Sequence, residues 1–314
     1  MSDFETTLAQ FELYLKHQKG YSPYTVRNYL RAAKGFEAWI TPGLPFPAWM
    51  TNLSLARQFV IEKQHQWRRK TLHTAIDGLR AFCHYWLEQK GPADPSLPNP
   101  WTCLTLPKLE KKLPTFMSEK QINQLLAAPM ELLALGKIKP FVAWRDRLIL
   151  ELLYAGGLRV SELVGLRYGD QQPDIQALRI LGKGNKERMC PIGPVAWSCL
   201  LHFQAHYAPC TDPASPIIVS CRKKAITPRA VQALLKVYLA HAKIPHTLTP
   251  HKIRHSYATH LLHHGAPLPV LQALLGHSSL AATQVYTHLD IQQLRNIHLA
   301  AHPREAQSTA PQTP

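Results

Sequence analysis

Between residues 91 and 114 the chain reads GPADPSLPNPWTCLTLPKLEKKLP, with proline at 92, 95, 98, 100, 107 and 114. Proline cannot continue a helix or donate to a sheet, and it stiffens an extended chain. No regular element crosses this stretch, so the sequence must fold as two units joined by a linker. The division expected is a helical domain over 1–107, a linker at 108–114, a second domain over 115–302 and a disordered tail from 303 to 314. The tail, PREAQSTAPQTP, has no apolar residue larger than alanine and nothing to bury.

The first part is patterned as helices. Phe4, Leu8, Phe11 and Leu15 recur at helical spacing, and Ser22 followed by Pro23 is a helix start. Leu72, Ile76, Leu79, Phe82 and Trp86 mark the buried face of a helix over about 70–88. In the second part, Ser118 with Gln121 forms a capping box for a helix to about Ala128. AWRDRLILELLYAGGL is a long apolar helix ending at Gly156-Gly157. QALRILGKGNKERMCPIG reads as a β-hairpin, two short runs about the turn GKGN. Helical patterns fill the rest. The fold class expected is mainly α: a helical N-terminal domain, then a mixed α+β domain that is mostly helical with a small β-hairpin or sheet.

Charge narrows the partner. Thirty-six Lys and Arg against 20 Asp and Glu give a formal charge of +16, which favours a polyanion through counterion release. No apolar run approaches the ~20 residues of a spanning helix, and MSDFETTLAQ lacks the regions of a signal peptide. Nucleic acid is therefore preferred over a membrane. Six cysteines without a C-x-x-C pair read as reduced thiols, and 17 histidines lack paired ligand spacing. Neither a metal nor a cofactor is expected. Arg68, Arg69 and Lys70, at the start of a helix, are candidates for phosphate contact; a solvated helix edge is the alternative.

Four separated pieces carry chemistry. GLRVSEL places Arg159 after a glycine break, with Glu162 as either a structural partner or an orienting group for a substrate phosphate. LGKGNKER sets Lys183 at a hairpin tip. TPHKIRHSYATHLL puts His251 and Arg254 three apart on one face at a helix start, where free N–H groups also attract anions. GHSSLAATQVYTHLD holds His277 and, nine residues on, Tyr286. On one helix that offset is about 900°, opposite faces, so the two converge only through the break at Gly276 to Ser279. Arginines to neutralise phosphate oxygens, a tyrosine to attack phosphorus and a cationic acid for the departing hydroxyl are what metal-free phosphoryl transfer needs.

GLRVSELVGL, LGKGNKER, HKIRHSYATHLL and LLGHSSLAATQVYTHLD resemble the signature boxes of the tyrosine recombinase (phage integrase) family, and the resemblance extends over nearly the whole chain. It implies a core-binding domain that clamps double-stranded DNA, followed by a catalytic domain, in a cytoplasmic protein associated with the nucleoid when on DNA. By resemblance, Tyr286 is the nucleophile forming an O-(3′-phospho-DNA)-tyrosine intermediate. Arg159 and Arg254 clamp the scissile phosphate, and Lys183 is the acid for the 5′ oxygen. His251 and His277 bond the phosphate, with His251 as a proton acceptor from Tyr286. The finer resemblance is to the Xer recombinases, which lack the extra DNA-binding arms of many phage integrases, and YTHLDIQQL followed by AAHPR is similar to the C-terminal end of the XerC branch in particular. That implies resolution of chromosome dimers at a dif-like site during cell division. It also implies a second recombinase of the XerD type in a heterotetramer, or self in a homotetramer, with room for a septal DNA translocase. IQQLRNIHLAA is an amphipathic segment suited to docking between neighbours or to packing on its own domain. Pro267, Pro269 and the pair Ala281-Ala282 depart from residues common at those places without removing a catalytic position. A mobile-element integrase of the same chemistry and a non-catalytic DNA-binding protein on this scaffold are the alternatives.

Overall fold

The computed structural model describes residues 3–40, 44–90, 99–109, 116–182, 187–210, 212–276 and 291–306. They belong to two compact units, Met1–Leu113 and Pro114–Pro314. Among the described residues no helix is long and apolar enough to cross a membrane.

The first unit is helical: α1 (Asp3–Leu13, continued by a wider turn over Tyr14–Gln18), α2 (Pro23–Glu37), α3 (Leu53–Gln66) and α4 (Arg69–Lys90). The start of α2 is local chemistry. Ser22 Oγ accepts from the Thr25 N–H at 3.2 Å, and Pro23 sits where no helical donor is needed. Phe11, Phe36, Phe59 and Phe82 interlock in the core, every one at most 1% exposed. Their rings meet edge to face, as Phe36 and Phe59 do at 5.0 Å. The proline-rich stretch is more than a spacer. Trp101, fully buried, closes the base of this core, 4.7 Å from the Phe36 ring, with its indole N–H donating to the Met50 carbonyl at 3.0 Å. The proline pattern conceals this because one large aromatic gives no periodicity.

The second unit opens with the capping box on α5 (Glu119–Ala134): Ser118 Oγ accepts from Gln121 N–H, and Gln121 Oε1 accepts from Ser118 N–H. The sequence suggested a stop before Pro129. Instead α5 runs on to Ala134 with Pro129 buried, core burial outweighing one lost helical bond. Then come α6 (Pro140–Ala155), α7 (Val160–Gly165), the sheet β1 (Gln171–Gln172), β2 (Ala177–Leu181) and β3 (Glu187–Pro191), α8 (Pro194–Tyr207), α9 (Pro228–His241), α10 (Pro250–His263) and α11 (Leu268–Leu275). The sheet is antiparallel in the order β1-β2-β3, with Ile180 opposite Arg188 and Leu178 opposite Cys190. The expected hairpin is β2–β3; the two-residue β1 is too short to leave a sequence signal.

After residue 290 the chain forms α12 (Ile291–Ala301) and α13 (Pro303–Ala306). Of the two roles open to IQQLRNIHLAA, the structure has the segment on its own domain, with Leu294 and Ile297 against the core and His298 buried. The tail expected to be disordered from 303 begins instead with the helical turn α13. Its anchor is electrostatic: Arg304 donates to Glu151 at 3.0 Å, and Glu151 is 1% exposed. A hydrophobicity pattern cannot see that bond.

Candidate active site

The site is built on the turn that ends α6. Gly156 caps the helix, and Gly157 takes φ +55°, a left-handed conformation that side chains resist. A Cβ on Gly157 would also lie 2.5 Å from the Tyr257 ring, so glycine is needed twice over. The turn delivers Arg159 to the N-cap of α7. There its backbone N–H donates to Glu162 Oε2 at 2.8 Å and its guanidinium donates to Oε1 at 2.7 Å.

Glu162 is the centre of an arginine cluster. Arg188, from β3, binds it with a two-pronged fork, Nη1 to Oε1 at 2.9 Å and Nη2 to Oε2 at 2.8 Å. Arg254, from α10, brings Nη1 to 3.6 Å from Oε2. The same two arginines cap α11: Arg188 Nε donates to the Leu274 carbonyl at 3.0 Å, and Arg254 Nη2 donates to the Leu275 carbonyl. Arg254 Nη1 donates to the Gly157 carbonyl at 2.6 Å. Gly276, in the left-handed conformation after α11, leaves room for Arg188, whose Cδ would lie 2.9 Å from an added Cβ.

Burial alone would raise the Glu162 carboxyl, but hydrogen bonds from Arg188 and Arg159 outweigh it and hold the group down at about 2. Burial lowers Arg254 to about 10, with Arg159 adding to the fall. Both groups are charged at neutral pH. Among the described residues of the cluster, three guanidinium groups then face one carboxylate. The surplus positive charge is partly desolvated, which makes the site a receptor for an anion.

That surplus faces a cavity of about 370 Å³ lined by Arg159, Ser161, Gln232, Thr249, His251 and Arg254. His251 is exposed in the first turn of α10, three residues before Arg254 and on the same face. Thr249 makes no side-chain cap, and the N-terminus of α10 adds a positive dipole end. Of the residues read from the sequence, Arg159, His251 and Arg254 therefore meet around one cavity. Lys183, His277 and Tyr286 lie outside the described residues. In the first unit Arg68 and Lys70 are exposed, as is Arg69, which spends one donor on the Lys108 carbonyl at 3.1 Å.

Two participants were not assigned from the sequence. Arg188 lay inside LGKGNKER without a role. Strand alternation could have found it, because it shares a face with buried Cys190 two residues on, and a charge on an inward face requires a partner. Gln232, on α9, carried no signal.

Residues 115–293 match the phage integrase family, and residues 8–90 match its N-terminal SAM-like domain. The chain belongs to the phage integrase family. It is 34% identical over 311 residues to tyrosine recombinase XerC of Haemophilus influenzae strain PittEE, covering 95% of this chain and 98% of the relative. It is 38% identical over 244 residues to tyrosine recombinase XerD of Shewanella oneidensis, covering 77% and 78%. Its fold is shared with the XerH site-specific recombinase solved bound to a palindromic difH substrate after cleavage (TM-score 0.64, 21% identity, 92% of this chain and 83% of that one). The protein is thus a XerC-like, site-specific tyrosine recombinase.

Proposed function

We propose that this recombinase cuts and rejoins DNA through a 3′-phosphotyrosine, resolving chromosome dimers at a dif-like site. The observation that carries the chemistry is the convergence of Arg159, Arg254 and His251 on one cavity beside Glu162. A phosphodiester resists nucleophiles because its oxygens are anionic, and two guanidinium groups held in place remove that repulsion without reorganising. Tyr286 Oη attacks phosphorus and the bond from phosphorus to the 5′ oxygen breaks. The tyrosine proton passes to His251, and the departing 5′ oxygen takes a proton from Lys183; His277 bonds the phosphate. The bond energy is kept in the ester, so the free 5′ hydroxyl of another strand can reverse the step without ATP.

Exchange between two duplexes needs four such cleavages, which suits a tetramer of this chain alone or with a recombinase of the XerD type. The protein would act in the cytoplasm on the nucleoid, with a septal DNA translocase as a further partner. Arg68 and Lys70 would add phosphate contacts from the first unit. The test is a nicked suicide duplex, in which the cleaved end diffuses away. The native enzyme accumulates a covalent protein–DNA band, and Tyr286→Phe binds DNA without forming it. A band in the Phe variant overturns the assignment of the nucleophile. Mapping the attached DNA end on chromosomal DNA tests the dif-like site.

A further inference from the structure

The C-terminal segment is seated directly behind the arginine cluster. His298, fully buried on α12, places Nε2 at 2.9 Å from the Ala155 carbonyl. A carbonyl only accepts, so Nε2 carries the proton, and Nδ1 has no hydrogen-bond partner among the described residues. Ala155 is the last residue of α6, and two residues on the Gly157 carbonyl accepts from Arg254. A second route runs through side chains. The His298 ring lies 6.0 Å from the Tyr257 ring, and Tyr257, on the same helix as Arg254, fills the space that glycine leaves at 157. His302 stacks on His298 at 5.1 Å and lies 4.9 Å from the Tyr154 ring. Arg304 on Glu151 fixes the far end.

We propose that His298 is a positioning residue for DNA cleavage, holding the Ala155–Gly157 turn so that Gly157 keeps the Arg254 guanidinium aimed at the cavity. Apolar packing by Leu294 and Ile297 would seat α12 on its own, and it would not demand a donor aimed at one carbonyl. The donor pins the turn that carries Arg159 forward and binds Arg254 back. Catalysis then depends on how α12 is seated behind the turn.

The inference rests on the strand-cleavage reading, and the experiment separates the two. Single-turnover cleavage of the suicide duplex is measured for the native enzyme, His298→Leu, His298→Asn and His298→Gln, with DNA affinity and thermal unfolding recorded for each. Leu removes the donor, Asn is too short to reach the carbonyl, and Gln places an amide N–H near the position of Nε2. Cleavage by the Leu and Asn variants should fall ~10–100-fold at unchanged affinity, and Gln should restore it to within ~3-fold of native. The same reactions are run on a duplex with a neutral methylphosphonate at the scissile position, where there is less charge for Arg254 to neutralise. There the deficit of the Leu and Asn variants should shrink to within ~3-fold. Equal deficits on both substrates, or Leu and Asn variants as fast as native, overturn the inference. A native enzyme that forms no covalent complex overturns the cleavage reading and this one with it.

Discussion

Arg188 grips Glu162 through two parallel hydrogen bonds of 2.8 and 2.9 Å, with 10% and 3% of the two side chains exposed. The fork orients a carboxylate that also holds Arg159, so its loss is felt at a residue Arg188 does not touch. Lysine keeps the charge but offers a point donor in place of a planar fork. Arg188→Lys should slow suicide-duplex cleavage ~10–100-fold with little change in DNA affinity. Arg188→Met strands part of a buried charge and should destabilise the catalytic unit by about 3 kcal/mol in urea denaturation.

Acid should weaken the same cluster. The Glu162 carboxyl is held at about 2 in the folded protein, below its ordinary value of 4.5. The unfolded chain therefore binds a proton first, and the stabilisation, complete above pH 4.5, is lost as pH falls toward 2. The amount is about 3 kcal/mol. Denaturation midpoints between pH 5 and pH 2.5 should show this slope in the native protein. Glu162→Gln should flatten it while lowering stability at neutral pH.

Gly157→Ala puts a side chain at φ +55° and a Cβ 2.5 Å from the Tyr257 ring. The backbone conformation alone costs about 1 kcal/mol, and the ring has to move as well. Stability should fall by more than about 2 kcal/mol, with cleavage reduced because the displaced carbonyl binds Arg254. Gly165→Ala is the control: nothing lies within 4 Å of its added Cβ and its φ is ordinary. That variant should unfold within about 1 kcal/mol of native.

The six free thiols should separate into two sets. Cys103, Cys210 and Cys221 are exposed, whereas Cys83, Cys190 and Cys199 are buried. Burial pushes Cys83 and Cys199 up to about 12 and Cys190 to about 11, which suppresses the reactive thiolate. A disulfide reagent at pH 8 should modify three thiols quickly and the remaining three only on unfolding. Fast modification of Cys190, which donates to the Gly156 carbonyl at 3.2 Å, would show that the turn behind Arg159 opens readily.

Local chemistry made much of this legible in the sequence. Ser118 with Gln121, Ser22 with Pro23, and the pair His251 and Arg254 each involve residues one helical turn apart or less, so spacing alone exposes them. What escaped was held by distant partners. Arg188 meets Glu162 from 26 residues away, and Arg304 meets Glu151 from 153. Trp101 finds the Met50 carbonyl 51 residues back. In each case a polar or isolated residue becomes informative only when the fold supplies its partner. The same holds for His298 and His302, which no spacing marks as buried and which are 0% and 1% exposed.

Those two histidines and His260 set a second acid transition at higher pH. His260 Nε2 donates to the Met117 carbonyl at 2.8 Å, which leaves Nδ1 to accept from the Tyr154 hydroxyl at 2.9 Å. The His298 donor on Ala155 likewise fixes a neutral ring. Burial lowers all three: His298 to about 4, with His260 and His302 also below 6.5. The groups around them are Tyr154, Tyr257 and Arg304, with Glu119, His263 and His264 acting on His260. Below pH 6.5 the unfolded chain binds protons that the folded one refuses, so stability falls with pH from there downward. His298 alone accounts for about 2 kcal/mol at pH 5, well above the range in which Glu162 titrates. Urea midpoints at pH 7.5 and pH 5 should differ accordingly, and His298→Gln, which keeps the donor and cannot be protonated, should narrow the difference. A gap as wide in that variant as in the native protein would place the acid sensitivity elsewhere.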